Sequence, residues 1–118
     1  MPHALAGKHL LLVEDDELVA FTVEDMLLHA GAASVTLAGT VAEAIEALEQ
    51  RQFDAAILDI NLNGHPSWPV ASRLQGLGTP YLSVTGYGDL IEHELIRNLL
   101  PKPYSMQQLL DAVSAIAA

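Results

Sequence analysis

Residues 9–31 read HLLLVEDDELVAFTVEDMLLHAG, and a change of pattern inside this stretch decides the fold. His9 to Val13 is a short apolar run without alternation, the mark of a strand buried on both faces. From Asp16 to Ala30 the apolar residues Val19, Val23, Met26, Leu27 and Ala30 return at helical spacing, and Gly31 stops the helix. Between the two patterns lie four consecutive acids, Glu14, Asp15, Asp16 and Glu17. A strand feeding directly into a helix is half of a parallel crossover unit, so the next question is whether the unit repeats.

It repeats to the end of the chain. Ser34–Ala38 reads as a second strand, and Thr40 with Glu43 forms a capping box that opens a helix through Gln50 on Val41, Ala44, Ile45 and Leu48. Ala55–Leu58 is a third buried strand, followed by a loop over 61–69 (NLNGHPSWP) and a short helix over Val70–Leu77. Pro80–Val84 is a fourth strand leading into Thr85-Gly86-Tyr87-Gly88, and Asp89–Ile96 is expected to form a weakly amphipathic helix. Asn98–Leu100 makes a very short fifth strand. Ser105 with Gln108 then caps a last helix on Met106, Leu109, Leu110, Val113 and Ile116. Apolar strands alternating with helices call for a parallel sheet covered on both faces. Right-handed crossovers make that a three-layer, doubly wound α/β fold.

The whole-chain numbers narrow the function. The 118 residues form one domain by length, with 51% apolar and 17% charged residues, a composition that can bury a core. Fifteen acids against five Lys and Arg give a net charge of -10, which disfavours a nucleic-acid or anionic-membrane surface. With no cysteine there is neither a disulfide nor a thiolate metal site, and a reducing cytoplasm suits the chain. The longest apolar run near the N-terminus, Leu10–Val13, is too short for a signal peptide or a membrane span.

In a doubly wound sheet, ligands bind beyond the carboxyl ends of the strands. Strand one ends in Glu14-Asp15, strand three in Asp59, strand four in Thr85 and strand five in Pro101-Lys102-Pro103, whereas strand two ends plainly in Ala38-Gly39. Three carboxylates meeting at one edge repel unless they are protonated or hold a cation. Oxygen ligands without His or Cys suit Mg²⁺. Lys102 is one of only two lysines, and its flanking prolines restrict how far it can wander. The peptide bond to Pro103 is also one that permits a cis form. Taken one at a time, any of these acids could equally be a solvated loop residue; the full set on one edge is what points to a site.

These residues carry a resemblance. The chain is similar over essentially its full length, 1–118 taken as a single domain, to the receiver domain of bacterial two-component response regulators. The matching pieces are LLVEDDE (11–17), DAAILDINL (54–62), VTG (84–86) and LPKPYS (100–105). The stretch PYLSVTGYG (80–88) further resembles a subgroup, common in alphaproteobacteria, in which the fourth strand leads into Thr-Gly-Tyr. The resemblance implies a flavodoxin- or CheY-like sheet of order 2-1-3-4-5. It implies a cytoplasmic phosphoacceptor that takes a phosphoryl group from a sensor histidine kinase onto Asp59 and then switches the binding of a downstream protein target. Outside its own phosphoryl transfer and dephosphorylation such a domain is not an enzyme. By the same resemblance Asp15, Glu14, Asp59 and the backbone carbonyl of Asn61 hold Mg²⁺. Lys102 pairs with a phosphoryl oxygen, and Thr85 donates to another.

Two departures are visible. The aromatic residue that receiver domains usually place three residues before the lysine is Leu99 here, so Tyr87 becomes the candidate for the mobile ring, against the alternative of a tyrosine exposed on a turn. The loop after Asp59 is also unusual. In it, Trp68 reads as a ring packed under the loop more readily than as a partner contact, and His65 as an exposed loop histidine. His3, His9, His29 and His93 show no metal-ligand spacing. The rival readings fare less well. A haloacid dehalogenase-type phosphatase wants a second acid two residues after its nucleophile, where this chain has Asn61. A flavodoxin needs a phosphate-cradling loop where this chain has four acids. The serious alternative is a pseudo-receiver, a protein-binding module that is never phosphorylated. With no output domain after Ala118, the expectation is a single-domain regulator or a receiver cut from a larger protein.

Overall fold

The computed structural model describes residues 5–85 and 93–117. Five parallel strands form the sheet: β1 (His9–Val13), β2 (Ser34–Ala38), β3 (Ala55–Asp59), β4 (Tyr81–Thr85) and β5 (Leu100–Pro101), in the order β2-β1-β3-β4-β5. Leu10 lies opposite both Val35 and Ala55, which aligns the carboxyl ends of β2, β1 and β3. Four helices cover it among the described residues: α1 (Glu17–His29), α2 (Val41–Gln50), α3 (Trp68–Leu77) and α4 (Met106–Ala117). None of them is long and apolar enough to cross a membrane.

The strand period of two sorts the core into two halves. Leu10, Leu12, Ala55, Ile57, Leu82 and Val84 face α1 and α4, where Val23, Leu27, Leu109 and Val113 meet them. Leu11, Val13, Ala56 and Leu58 face α2 and α3, against Ala44, Leu48, Val70 and Leu74. Both faces of β1 and β3 are thus dry, as their continuous apolar sequences demand.

The helix ends follow from named residues. Asp16 is the N-cap of α1, its Oδ1 accepting from the N–H groups of Leu18 (3.0 Å) and Val19 (3.2 Å). At the other end Gly31 adopts φ 103°, and the N–H of Ala32 reaches back to the carbonyl of Leu27, the left-handed stop that glycine allows. Thr40 caps α2 by accepting from the N–H of Glu43, while Glu43 Oε1 accepts from the N–H of Gly39 at 2.9 Å and more weakly from the Thr40 hydroxyl at 3.5 Å. Ser105 and Gln108 form the full reciprocal box, Gln108 N–H to Ser105 Oγ at 3.0 Å and Ser105 N–H to Gln108 Oε1 at 2.7 Å.

The structure corrects four expectations. The stretch 61–69 is not all loop: Asn61–Leu62 pairs antiparallel with His65–Pro66, and α3 begins at Trp68, because Pro69 fits the first turn of a helix. The fifth strand lies at Leu100–Pro101 instead of Asn98–Leu100. Asn98 has φ 53° and spends its side-chain amide on the carbonyl of Tyr81, so it cannot extend the ladder. Of the helix expected over Asp89–Ile96, residues 89–92 lie outside the described residues and 93–96 form a turn. That turn is held by polar bonds instead: the N–H of Leu95 donates to His93 Nδ1, Tyr81 Oη donates to the carbonyl of Leu95, and Arg97 N–H donates to Ser83 Oγ. Met106, placed on the inner stripe of the last helix, is exposed.

Candidate functional site

The carboxyl ends of β1, β3 and β4 bring four side chains to one place. Oxygen atoms of Glu14, Asp15 and Asp59 all lie within 4.8 Å of one another. The Lys102 ammonium reaches in from the turn after β5, donating to Asp59 Oδ2 at 3.1 Å and to Glu14 Oε1 at 3.4 Å. Lys102 is placed by its own backbone, whose N–H donates to the carbonyl of Thr85 at 2.8 Å, and the Lys102–Pro103 bond is cis. Glu14, Asp59 and Thr85 are buried, at 7%, 7% and 5% exposure, so their polar groups sit where water screens little.

Each carboxylate is oriented by a backbone amide. Asp59 Oδ1 accepts from the N–H of Asn61 at 3.1 Å, a local turn that aims Oδ2 at Lys102. Asp15 Oδ2 accepts from the N–H of Asn63 at 3.0 Å, tying the hairpin of 61–66 to the end of β1. Glu14 Oε2 accepts from the N–H of Asp16 at 3.3 Å. Asp16 itself turns away to cap α1, so the acid run divides between Asp15 and Asp16.

The charges do not balance. One ammonium faces three carboxylates, leaving two negative charges when all are ionised. The consequence falls on Glu14. Burial first, then its neighbours Asp15 and Asp59, push its carboxyl up to about 7 against the partial relief given by Lys102. Burial works to lower the Lys102 ammonium, but Asp59 and Glu14 together outweigh it and hold the group above its ordinary value. A set of hard oxygen donors with surplus negative charge and no nitrogen or sulfur ligand fits a small divalent cation such as Mg²⁺.

The remaining residues singled out in the sequence fall as follows. The side-chain oxygen of Asn61 accepts from the N–H of Gly64, so it is occupied in shaping the turn. Thr85 is the last residue of β4, buried beside the acids, while Tyr87 lies outside the described residues. Leu99 is 48% exposed ahead of β5. His65 is exposed in the hairpin. Trp68 is neither under the loop nor free: its ring stacks on His93, centroids 3.8 Å apart and planes within 10°, fastening α3 to the turn that precedes β5.

Two residues to which the sequence reading gave no role belong to this neighbourhood. Tyr104 is half-buried and lines, with Glu14, Asp59 and Lys102, a groove of about 820 Å³. Burial raises its phenol and the Lys102 charge partly offsets that, which places the ring within reach of the site's field. Ser67, fully buried, donates its hydroxyl to the backbone carbonyl of Asp59. Tyr104 stood in the LPKPYS stretch and was readable there; the contact of Ser67 is made only by the folded turn.

Fold and site together define a doubly wound α/β protein with an acid–lysine centre at the carboxyl edge of its sheet. Residues 10–114 match the response regulator receiver domain, and the chain belongs to that family, the signalling domains of two-component systems. Among solved structures it is similar to SdrG from Sphingomonas melonis Fr1, with 36% identity over 98% of each chain and a TM-score of 0.80. It is also similar to a response regulator receiver protein from Sinorhizobium medicae WSM419, with 28% identity over 94% of each chain and a TM-score of 0.80. A CheY-like receiver domain from Methylobacillus flagellatus shares the fold at 23% identity, 94% of this chain and 99% of the other, TM-score 0.81. Comparison with curated protein sequences gives no match.

Proposed function

We propose that this receiver domain is phosphorylated on Asp59 by the phosphohistidine of a sensor histidine kinase, and that the modification changes its binding to a downstream protein. The observation that carries the reading is the position of Lys102 Nζ, 3.1 Å from Asp59 Oδ2 and 3.4 Å from Glu14 Oε1, two of three clustered carboxylates. In the transfer, an Asp59 carboxylate oxygen forms a bond to phosphorus as the bond from phosphorus to the imidazole nitrogen breaks. The imidazole, carrying a proton on its other ring nitrogen before transfer, keeps the electron pair of the broken bond and leaves neutral, and an acyl phosphate remains on Asp59. A carboxylate is a modest nucleophile, but phosphoryl transfer asks chiefly for alignment and charge neutralisation. Lys102 pairs with a phosphoryl oxygen, and the Thr85 hydroxyl donates to another. Glu14, Asp15, Asp59 and the backbone carbonyl of Asn61 are the groups that would hold Mg²⁺. When bound, the ion supplies neutralisation of the surplus carboxylate charge and of the charge on the phosphoryl oxygens.

The direct test is intact-protein mass spectrometry after incubation with a small acyl-phosphate donor, with Mg²⁺ or with a chelator. One phosphoryl group gained with Mg²⁺ and none with chelator is the expected result. An unlabelled protein under both conditions would overturn the reading in favour of the pseudo-receiver. Within the acid run, Asp15→Asn is expected to weaken Mg²⁺ binding at least about tenfold, as loss of a direct carboxylate ligand should. Asp16→Asn should leave it within about twofold, because that carboxylate is already given to the amides of α1. Equal losses in the two variants by calorimetric titration would refute the division.

A further inference from the structure

Ser67 occupies the N-cap of α3, where a serine hydroxyl ordinarily turns forward to accept from the first amides of the helix. Here it makes no such bond. Instead Oγ points back along the chain, donating to the carbonyl of Asp59 at 2.7 Å and sharing with the carbonyl of Ile60 at 3.1 Å. The Ser67 N–H also donates to the Ile60 carbonyl, at 2.8 Å. Its own carbonyl accepts from Val70 and Ala71 N–H, so the residue is anchored in α3 while it grips the end of β3. The side chain is 0% exposed, and water cannot take over the bonds it makes.

The grip acts on the residue proposed to be phosphorylated. Asp59 is fixed twice on its side chain, by Asn61 N–H at Oδ1 and by Lys102 at Oδ2. Both contacts depend on how the peptide units of residues 59 and 60 are turned, and those two carbonyls are the ones Ser67 holds. The hairpin 61–66 between them is exposed at five of its six positions and has only a two-residue ladder, so it offers little restraint of its own. We propose that Ser67 is a positioning residue for the Asp59 carboxylate: by forgoing the helix cap it locks the Asp59–Ile60 backbone and so keeps the carboxylate aligned between Lys102 and the incoming phosphorus. The proposal rests on the reading of Asp59 as the phosphoacceptor.

The test follows labelling time courses with acetyl phosphate and Mg²⁺ for wild type, Ser67→Ala, Ser67→Cys and Ser67→Thr, all below their unfolding transitions. At saturating donor, Ser67→Ala is expected to label about ten- to a hundredfold more slowly, the range that a small misplacement of a reacting group produces. The half-saturating donor concentration should stay near the wild-type value. Ser67→Cys, similar in size but a weak donor, should also be slow, and Ser67→Thr, which keeps the hydroxyl, should recover most of the rate. A residue of merely structural value would lower the melting temperature and leave the rate per folded molecule unchanged, and that result overturns the proposal. Should Ser67→Ala not fold, the pair of Cys and Thr decides: a wild-type rate in Ser67→Cys overturns it, and a slow Cys with a fast Thr upholds it. A wild-type protein that takes no label would instead remove the reading of Asp59 on which the proposal stands.

Discussion

Asp59→Asn is expected to show no labelling above background with any phosphodonor, while keeping its fold. The substitution changes one atom and one charge. Asparagine retains an oxygen for the N–H of Asn61, and the Ser67 bond to the residue's backbone carbonyl is untouched. Lys102 loses the closer of its two carboxylates but keeps Glu14 at 3.4 Å, so no buried ammonium is stranded. Removing a like charge also relieves Glu14, whose carboxyl Asp59 helps to raise. Stability should therefore move by no more than about 1 kcal/mol in either direction, which urea unfolding will measure. Loss of label without loss of fold isolates the nucleophile: an amide oxygen cannot form the acyl phosphate that a carboxylate forms. Undiminished labelling in this variant would move the acceptor to Glu14 or Asp15, the remaining acids of the cluster.

The strands and the site were legible for the same reason. A strand buried on both faces must be apolar throughout, so its end is marked by the first residue that cannot be buried without a partner. Val13 to Glu14 and Leu58 to Asp59 are such junctions, while β4 already holds the buried, hydrogen-bonded Ser83 before Thr85; all three strand ends lie on the edge that the topology turns into one surface. β1 and β2 were read to the residue because their apolar runs have no rival period. The far edge was harder. β5 pairs only two residues, and what fixes it is the left-handed backbone at Asn98 and its reach to Tyr81, neither of which has a periodic signature. The weak helical pattern of 89–96 rests on Leu90, Ile91, Leu95 and Ile96, which fall only roughly on one side, and at 93–96 the polar bonds involving Tyr81 and Ser83 hold a turn. Ser67 shows the other limit. Ser67 falls in a stretch read as loop, and the partner of its hydroxyl, eight residues earlier, is chosen by tertiary geometry alone.

Lys102→Ala is expected to destabilise the metal-free protein, and Mg²⁺ is expected to restore most of the loss. Removing one partner of a fully buried ion pair costs about 3–5 kcal/mol. Lys102 is 29% exposed at its side chain, and solvent reaching its carboxylates reduces the figure to about 1–3 kcal/mol. Glu14 provides a second relief. Its carboxyl, already raised from 4.5 to about 7 in the folded chain, loses the one neighbour that lowers it and rises further. A carboxyl raised on folding binds its proton more tightly in the folded state, so stability falls as pH climbs between 4.5 and about 7 and is flat above that. In Lys102→Ala the falling stretch should extend above 7, making the variant weakest, relative to wild type, in alkaline buffer. A divalent cation binding the folded state alone adds stability as its concentration exceeds its dissociation constant, about 2.7 kcal/mol at a hundredfold excess. The ion and the ammonium neutralise the same carboxylates, so Mg²⁺ should raise the melting temperature of the variant more than that of wild type and flatten the pH dependence of both. Equal shifts in the two proteins would show that Lys102 and the cation do not share those charges, and the assignment of Glu14 and Asp59 to both would have to be given up.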